Sequence, residues 1–242
     1  MRSVPAIAIA SQGVTGVMGA ELVDGKPVPV VRVPDSTKDG IPGCVKYVTP
    51  GGVGIGSWTN CYSSIQSAIS AAGGCEIWVA AGTYSENIML STGTKIYGGF
   101  VGGETLRDER NWALHETVLD GGAYSVVYMG TNSRLDGFTV QNGSGGYGTS
   151  GGICADTVTG FEIVNNRITG NYNGDPINTG VNSAGIYCKS CSGQIYNNVI
   201  TGNTAYSDGG GGIGCEGDST EIIGNVISDN TSYSGGGIAC SS

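Results

Sequence analysis

A short phrase of two small residues followed by isoleucine recurs four times in the C-terminal part of this 242-residue chain. Its copies are Gly151-Gly152-Ile153, Ala184-Gly185-Ile186, Gly211-Gly212-Ile213 and Gly236-Gly237-Ile238. The four isoleucines are 33, 27 and 25 residues apart. Repetition at such a period is the signature of a solenoid, in which each repeat stacks on the next.

A second phrase lies between consecutive copies of the first. It reads Ile-Val-Asn-Asn-Arg-Ile-Thr-Gly-Asn over residues 163–171 and returns, with substitutions, over 195–203 and 222–230. The repeats are too short for a βαβ unit with a full helix, and their Gly and Asn content disfavours helix pairs. Short apolar alternations broken by turns suit strands. We therefore predict an all-β fold, a right-handed parallel β-helix solenoid of about six or seven turns.

Composition separates this repeat from a disordered glycine-rich linker. Glycine occupies 45 of 242 positions and supplies the positive-φ turns that each coil needs. Only 13% of residues are charged whereas 39% are apolar, and a linker would lack the recurring Ile and Val. The chain should therefore bury a continuous but narrow core.

Alignment of the repeats places like residues in columns, with neighbours about 4.8 Å apart. Asparagine forms the two clearest columns, Asn166, Asn198 and Asn225 in one and Asn171, Asn203 and Asn230 in the other. Asparagine at a turn can bond neighbouring backbone, and stacked asparagines can bond each other. We predict that both columns are structural ladders.

Cysteine recurs in the repeats as well. Cys188, Cys215 and Cys240 each lie two residues after a repeat isoleucine, so we expect them to face inward. There they either pack as small hydrophobes or oxidise between turns. Cys188 and Cys191 have CxxC spacing, but no second CxxC or histidine pair accompanies them, and His115 is the only histidine. We therefore predict no metal site.

The remaining cysteines and the first residues bear on localisation. Cys61 and Cys75 bracket a stretch that a disulfide could staple, although the connectivity stays open. Residues 1–10 carry one positive side chain and a short apolar run, a weak match to a signal peptide. No stretch of 18 or more apolar residues occurs, so we predict no membrane span. These features favour a secreted or cell-surface protein with disulfides.

Three parts are distinguishable along the chain. Residues 1–43 contain closely spaced prolines, which exclude a central strand and predict an extended lead-in. Residues 44–81 contain apolar residues at helical spacing over 64–72 and a strand over 76–80. A short helix there would cap the exposed end of the first turn. Residues 82–242 form the β-helix itself, truncated or open at its C-terminal end.

Four segments resemble the opening of exported right-handed β-helix proteins of the pectate-lyase-like superfamily, namely 65–69, 77–84, 96–100 and 117–121. The later repeats resemble those of polymorphic outer-membrane proteins, whose Gly-Gly-Ala/Ile phrase occurs here as Gly-Gly-Ile. Their Phe-x-x-Asn phrase is Ile-x-x-Asn in this chain. The matches cover about residues 44–242. The superfamily contains lyases, hydrolases and non-catalytic surface proteins, so the resemblance implies a fold and export rather than an activity.

One outward column of the predicted coil carries charges. If Ile163 and Ile168 face inward, Glu162 faces outward and Arg134 falls in its column one turn earlier. Asp136 and Glu162 are the best carboxylate pair for a glycosidase, which needs two carboxylates about 5 to 9.5 Å apart. Asp136, Glu162 and Arg134 would be the catalytic residues of a polysaccharide lyase or glycoside hydrolase. The alternative is a solvated ion pair, and the motifs of polygalacturonases and pectate lyases are not found.

Tyrosines form a second candidate surface. Tyr206 and Tyr233 each follow a column asparagine by three residues, and Tyr147 and Tyr172 lie in comparable loops. Exposed aromatic rings among polar residues suit contact with carbohydrate or protein. The alternative is that these rings only cover the base of each loop.

Charge limits the partners and cofactors. The net charge of −9 and the pI near 4.4 argue against nucleic acid and anionic membranes as partners. Asp208, Glu216 and Asp218 cluster around the third Gly-Gly-Ile phrase, which makes calcium a candidate ligand. They match neither an EF-hand nor a nonapeptide calcium repeat, so solvated charge is favoured and no cofactor is predicted.

The sequence stops inside a repeat, and an open solenoid end should be sticky. We expect a longer natural protein or, as the alternative, end-to-end self-association in which residues 1–43 supply a strand. The favoured function is an extracellular or cell-surface module that engages a polysaccharide or surface glycan without catalysis in this segment. A polysaccharide lyase or glycoside hydrolase comes second, and a self-assembling scaffold third. A hydroxyl column of Thr169, Thr201 and Ser228 gives ice binding a minor basis.

Overall fold

The computed structural model describes residues 19–23, 26–30, 44–54, 57–146, 149–174, 182–206, 209–217, 219–233 and 235–241. The chain divides into two compact units, Met1–Gly40 and Ile41–Ser242. In the first unit, β1 (Gly19–Val23) and β2 (Lys26–Val30) pair antiparallel. The extended lead-in over residues 1–43 stays a prediction, since most of that segment lies outside the described residues.

The second unit is a parallel β-helix built from three long sheets and one short sheet, which confirms the predicted fold. The first sheet contains β3 (Val45–Val48), β4 (Glu76–Ala80), β7 (Lys95–Phe100), β10 (Arg134–Asp136), β14 (Thr159–Val164), β18 (Ser192–Tyr196) and β22 (Glu221–Ile223). The second contains β5 (Gly82–Tyr84), β8 (Thr117–Asp120), β11 (Thr139–Gln141), β15 (Arg167–Thr169), β19 (Val199–Thr201) and β23 (Val226–Ser228). The third contains β6 (Ile88–Met89), β9 (Val127–Tyr128), β13 (Ile153–Asp156), β17 (Ile186–Lys189), β21 (Ile213–Glu216) and β24 (Ile238–Ser241). The short sheet contains β12 (Ser144–Gly145), β16 (Tyr172–Asn173) and β20 (Thr204–Ala205).

The repeat isoleucines set the register of the third sheet. Ile153 lies beside Ile186, which lies beside Ile213, which lies beside Ile238. The first three are fully buried in one continuous core. Side chains alternate between the two faces of a strand, so this register points the isoleucine of every repeat into the core, where it stacks on the isoleucine of the next repeat.

A short helix covers the first turn, as the sequence predicted. The helix α1 (Ile65–Ser70) buries Ile65, Ala68 and Ile69 against the core. Its N-terminus is capped by Ser64, whose hydroxyl accepts from the backbone N–H of Ser67 at 3.2 Å. The Glu86 carboxylate also accepts from the backbone N–H groups of Ile65 at 2.7 Å and Gln66 at 3.1 Å. These contacts satisfy N–H groups that the helix itself leaves unpaired.

Both asparagine columns form ladders, which confirms the prediction. In the first column, Nδ2 of Asn166 donates to Oδ1 of Asn198 at 3.1 Å, and Nδ2 of Asn198 donates to Oδ1 of Asn225 at 2.9 Å. The second column repeats the pattern through Asn171, Asn203 and Asn230, with distances of 3.0 and 2.9 Å. The ladders fix the corners between the sheets on successive turns.

The second glycine of the repeat phrase lets adjacent turns approach closely. A Cβ built on Gly152 would lie 2.4 Å from the carbonyl oxygen of Gly185, and one on Gly185 would lie 2.3 Å from that of Gly212. The same contact recurs between Gly212 and Gly237 at 2.6 Å. Any larger residue would therefore meet the backbone of the next turn, which explains why glycine recurs at this position.

The cysteines are arranged partly as predicted. Cys188 and Cys215 are buried in the core, while Cys240, in register with Cys215, is exposed because β24 is the last described strand of its sheet. The candidate staple between Cys61 and Cys75 is not formed. Cys75 is bonded to Cys44 instead, and their Cα atoms are 4.9 Å apart. The parallel pairing of β3 with β4 starts directly after these two residues and brings them together.

A non-repeating segment over residues 101–116 carries a 3₁₀ turn (Arg107–Glu109) near the outer face of the first sheet. A second apolar cluster forms on that outer face around Trp78, Tyr97 and Phe100. Arg107 lies 4.9 Å and Arg110 5.1 Å from the ring centroid of Tyr97. The segment thereby brings two guanidinium groups onto the outer face of the first sheet.

Candidate functional site

Three tyrosines form a continuous aromatic row on the outside of the coil. The ring centroids of Tyr172 and Tyr206 are 5.6 Å apart, and those of Tyr206 and Tyr233 are 6.0 Å apart. The first pair is tilted by 56° and the second is edge-on at 88°. The side chains are 43%, 45% and 73% exposed, respectively. The structure thus brings three of the four predicted tyrosines together, and Tyr147 lies outside the described residues.

The second asparagine ladder positions this row. Tyr172 directly follows Asn171, and the backbone N–H of Thr204 donates to the carbonyl of Asn171 at 2.9 Å. The backbone N–H of Tyr206 donates to the carbonyl of Asn173 at 2.8 Å. Tyr172, whose backbone N–H donates to the carbonyl of Gly143 at 2.8 Å, and Tyr206 therefore leave the coil from backbone that is hydrogen-bonded to the neighbouring turn.

A further exposed tyrosine, missed by the sequence reasoning, lies on the same side of the coil. The backbone N–H of Tyr124 donates to the carbonyl of Ser144 at 2.8 Å, and Ser144 is in register with Tyr172. Tyr124 is 69% exposed and has a φ of 73°. Its only sequence signal is its place in a Gly-rich turn before the repeats become regular.

The arrangement of the row determines what it can bind. Tyrosine offers an apolar ring and a hydroxyl that can donate or accept a hydrogen bond. Because the rings are tilted rather than coplanar, the row presents both faces and edges to a ligand lying along the coil axis. Such a surface suits a chain-like ligand that has apolar faces and many hydroxyl groups.

The predicted charged column also exists. Arg134 is in register with Glu162, and the two side chains form an ion pair. Arg134 also donates to Asp136, from Nη2 at 2.8 Å and from Nε at 3.1 Å. All three candidate catalytic residues are thus joined through one guanidinium group.

Asp136 is the buried centre of this charged cluster, with no exposed side-chain surface. Arg110 contacts its Oδ1 at 2.8 Å, and Nδ2 of Asn165 donates to the same oxygen at 3.0 Å. Burial alone would raise the pKa of Asp136, but the charges of Arg110 and Arg134 outweigh it and hold that pKa below its usual value. Asp136 is therefore an ionised carboxylate that solvent does not reach.

Glu162 is the carboxylate of the cluster that solvent reaches, with 35% of its side chain exposed. The Tyr196 hydroxyl donates to its Oε2 at 3.3 Å and accepts from Nη1 of Arg134 at 3.2 Å. Burial and the Glu162 charge raise the pKa of Tyr196 against the opposing effect of Arg134. The exposed edge of the cluster thus combines a carboxylate, a phenol and a guanidinium.

The sequence reasoning missed Arg110, Asn165 and Tyr196. The repeat alignment could have identified Tyr196, because Tyr196 lies in register with Val164, which lies in register with Asp136. Asn165 is the first asparagine of the second repeat phrase and takes a φ of 55° at the corner. Arg110 comes from the non-repeating segment, for which the alignment gives no signal.

Across the part of the chain that the structure describes, no three His, Cys, Asp or Glu side chains are grouped so that they could hold a metal ion. Of the calcium candidates, Glu216 accepts from the Tyr187 hydroxyl at 2.8 Å, while Asp208 and Asp218 lie outside the described residues. The hydroxyls of Thr201 and Ser228 are 3.4 Å apart in their column. The described helices include none long and apolar enough to cross a membrane.

This chain is similar to a crystal structure of the pectin methylesterase from Aspergillus niger in deglycosylated form, with 13% sequence identity and a TM-score of 0.36. The match covers 81% of this chain and 87% of the pectin methylesterase chain. This likeness is too weak to assign an activity. A search of curated proteins found no match. Residues 51–241 match the family described as "Protein of unknown function (DUF1565)", and the chain belongs to that family.

Proposed function

We propose that this protein is an extracellular or cell-surface β-helix module that binds a polysaccharide or surface glycan along the row of Tyr172, Tyr206 and Tyr233. The observation that carries the proposal is the contiguity of three exposed rings on successive turns. A ligand that covers exposed aromatic rings removes apolar surface from water, which lowers the free energy of the complex. Three adjacent exposed rings form an apolar patch of the kind that marks a binding site. Their hydroxyl groups can then bond the ligand's own hydroxyls.

Charge and redox state support the same proposal. The net charge of −9 disfavours nucleic acid and anionic membranes as partners. The Cys44–Cys75 disulfide is typical of proteins that work in oxidising surroundings outside the cytosol. A glycan outside the cell is therefore a ligand that such a protein would encounter.

Binding to a panel of neutral and acidic polysaccharides tests the proposal, with retardation in affinity gels as a first measurement and calorimetry for each positive glycan. Tyr206→Ala removes the central ring, and we expect it to weaken binding about tenfold, which corresponds to ~1.4 kcal/mol. Leu114→Ala is the control, because Leu114 is 70% exposed on the non-repeating segment. Equal affinity of the wild type and Tyr206→Ala for every bound glycan would refute the tyrosine row as the binding site.

A second candidate function is that of a polysaccharide lyase or glycoside hydrolase. It is favoured by Glu162, a solvent-accessible carboxylate that contacts both Arg134 and Tyr196. In this alternative Glu162 acts as the base, the guanidinium stabilises developing negative charge, and Asp136 holds Arg134 in place. The measurement is the release of reducing ends or unsaturated products. Glu162→Gln should abolish product formation, whereas Glu221→Gln, in the same column two turns later, should not. If no polysaccharide gives product with the wild type, this alternative fails.

A third candidate is end-to-end self-assembly, which concerns the last described turn. Ile222 and Ile227 are only partly buried there and Ile238 is 43% exposed, although their counterparts one turn earlier are fully buried. Their strands are the end strands of the three long sheets as the structure describes them. Sheet edges of this kind can accept further strands. Sedimentation velocity should show oligomers that Ile238→Lys abolishes and that removal of residues 1–43 also abolishes. A concentration-independent monomer would exclude this candidate.

A further inference from the structure

A cluster of three cysteine side chains lies inside the coil, away from both candidate surfaces. Cys188 is fully buried, and Cys191 and Cys215 are only 4% and 3% exposed. All three belong to the same continuous core. Nothing in the proposed glycan site or in the charged cluster uses these side chains.

The backbone holds Cys188 and Cys215 side by side. They are directly in register on β17 and β21, with their side chains on the inner face. The register is fixed on both sides, because the backbone N–H of Ile186 donates to Gly212 at 2.8 Å and that of Ser190 donates to Glu216 at 2.8 Å. Neighbouring strands lie about 4.8 Å apart, which is within the Cα separation of about 4.4–6.8 Å that a disulfide spans.

The other two cysteines of this region are less well placed as partners. Cys191 follows a corner at Ser190, where φ is 47°, and its sulfur lies 3.5 Å from the hydroxyl of Thr220. Cys240 continues the column beyond Cys215 but is exposed on the last described turn. A bond between Cys188 and Cys191 would also close a very short loop, which constrains the unfolded chain far less than a bond between turns.

We propose that Cys188 and Cys215 form an inter-turn disulfide when the protein folds in an oxidising compartment. The oxidant is a disulfide, either of a small thiol compound or of an oxidoreductase. One cysteine thiolate attacks the oxidant's sulfur and releases one thiol, and the second thiolate then attacks the mixed disulfide and releases the other. The two cysteines lose two protons and two electrons in total, and the oxidant's disulfide is reduced to two thiols.

This chemistry belongs to folding rather than to the finished coil. Hydrogen bonding to the neighbouring thiols and burial raise the pKa of Cys188, so little thiolate exists in the closed core. Once formed, the bond would be shielded from reductants by the same burial. It would join the two turns that flank Tyr206 in the chain, and so would keep that part of the coil in register independently of any ligand.

Peptide mapping of the full chain tests the inference, with the protein secreted by the expression host and then unfolded at mildly acidic pH in the presence of N-ethylmaleimide, so that buried free thiols are alkylated before they can exchange with disulfides. Trypsin combined with an endoproteinase that cleaves before aspartate separates the relevant cysteines into residues 175–189, 190–207, 208–217 and 229–242. We expect 175–189 linked to 208–217. Peptide 47–95 contains Cys61 as well as Cys75, so a link from 39–46 to 47–95 that fragmentation assigns to Cys75, with Cys61 alkylated, reports the Cys44–Cys75 bond and shows that the preparation was oxidised.

Other maps overturn the inference. With the Cys44–Cys75 bond present, alkylated Cys188, a link from 175–189 to 190–207, or a link from 208–217 to 229–242 would each exclude the proposed bond. The variant Cys191→Ala should keep the link between 175–189 and 208–217, and Cys215→Ala should lose it. Because the wild-type map decides on its own, a variant that fails to fold leaves the test intact.

Discussion

Asn166 and Asn198 are joined through a single oxygen atom. Oδ1 of Asn198 accepts from the backbone N–H of Asn166 at 2.9 Å and from its Nδ2 at 3.1 Å. Asn198 also donates to the carbonyl of Ile163 at 2.8 Å and to Oδ1 of Asn225 at 2.9 Å. One side chain thereby satisfies buried polar groups at a corner where the strand ladder is interrupted. The ladder therefore replaces, turn by turn, the hydrogen bonds that the sheets cannot supply at the corners.

Asn198→Ala should lower the free energy of unfolding by about 2 to 4 kcal/mol, because it leaves buried groups of Asn166 and Ile163 without partners. Asn225→Ala, at the same position one turn later, should cost only about 1 kcal/mol, because water reaches this partly buried residue. Urea unfolding followed by circular dichroism measures both. Equal losses would show that the ladder does not act through burial.

Gly185→Ala should destabilise the coil by about 1 to 3 kcal/mol, since its Cβ would lie 2.3 Å from the carbonyl oxygen of Gly212 and the turns would have to separate. Gly146→Ala is the matched control, because a Cβ there meets nothing within 4 Å. That variant should stay within about 0.5 kcal/mol of the wild type in the same unfolding experiment. A harmless Gly185→Ala would mean that the close approach of the turns is not required.

The repeat positions were the part of the fold that the sequence could predict. Gly185 and Ile186 recur because every turn meets the next one in the same way, so their columns could be aligned from the amino-acid sequence alone. The same alignment placed Arg134 beside Glu162, and the structure confirms that register. It also grouped Tyr206 with Tyr233, whose rings are in contact.

Residues whose partners lie outside the repeats could not be placed in this way. Arg110 reaches Asp136 from the non-repeating segment, whose course depends on packing over Tyr97 rather than on any period. The candidate disulfide between Cys61 and Cys75 was wrong for a similar reason. Cys75 is bonded to Cys44 because β3 and β4 are neighbouring strands. These two strands come before the regular repeats, so the repeat alignment does not reveal that they pair.

Removal of the Cys44–Cys75 bond should destabilise the N-terminal turns. The two cysteines are 31 residues apart, and a disulfide closing a loop of that length contributes about 3 to 4 kcal/mol by restricting the unfolded chain. We expect the double variant Cys44→Ala/Cys75→Ala to lose about that much in urea unfolding. Cys61→Ala removes only a buried thiol that is hydrogen-bonded to the Thr49 hydroxyl, so it should lower the free energy of unfolding by about 1 kcal/mol. A double variant as stable as Cys61→Ala would contradict the loop-closure account.

The two ion pairs of Asp136 predict a specific pH dependence. Its pKa in the folded protein lies below its usual value of about 3.9 in an unfolded chain. A lowered folded pKa means that the stabilisation is fully present above the unfolded pKa and is lost as the pH falls through the folded pKa. Asp136→Asn leaves the Arg110 charge without its carboxylate partner and leaves Arg134 with Glu162 alone, so it should cost about 3 kcal/mol at pH 7.

That deficit should shrink as the pH falls below about 4, because the unfolded wild-type chain then takes up a proton at Asp136 whereas the folded protein, with its lowered pKa, resists protonation there. Guanidinium chloride unfolding of both proteins at pH 7 and pH 3 measures the difference. Asp156→Asn, which changes an exposed carboxylate on the third sheet, should stay within about 0.5 kcal/mol of the wild type at pH 7. A deficit for Asp136→Asn that is the same at both pH values would show that the loss comes from packing and not from the ion pairs.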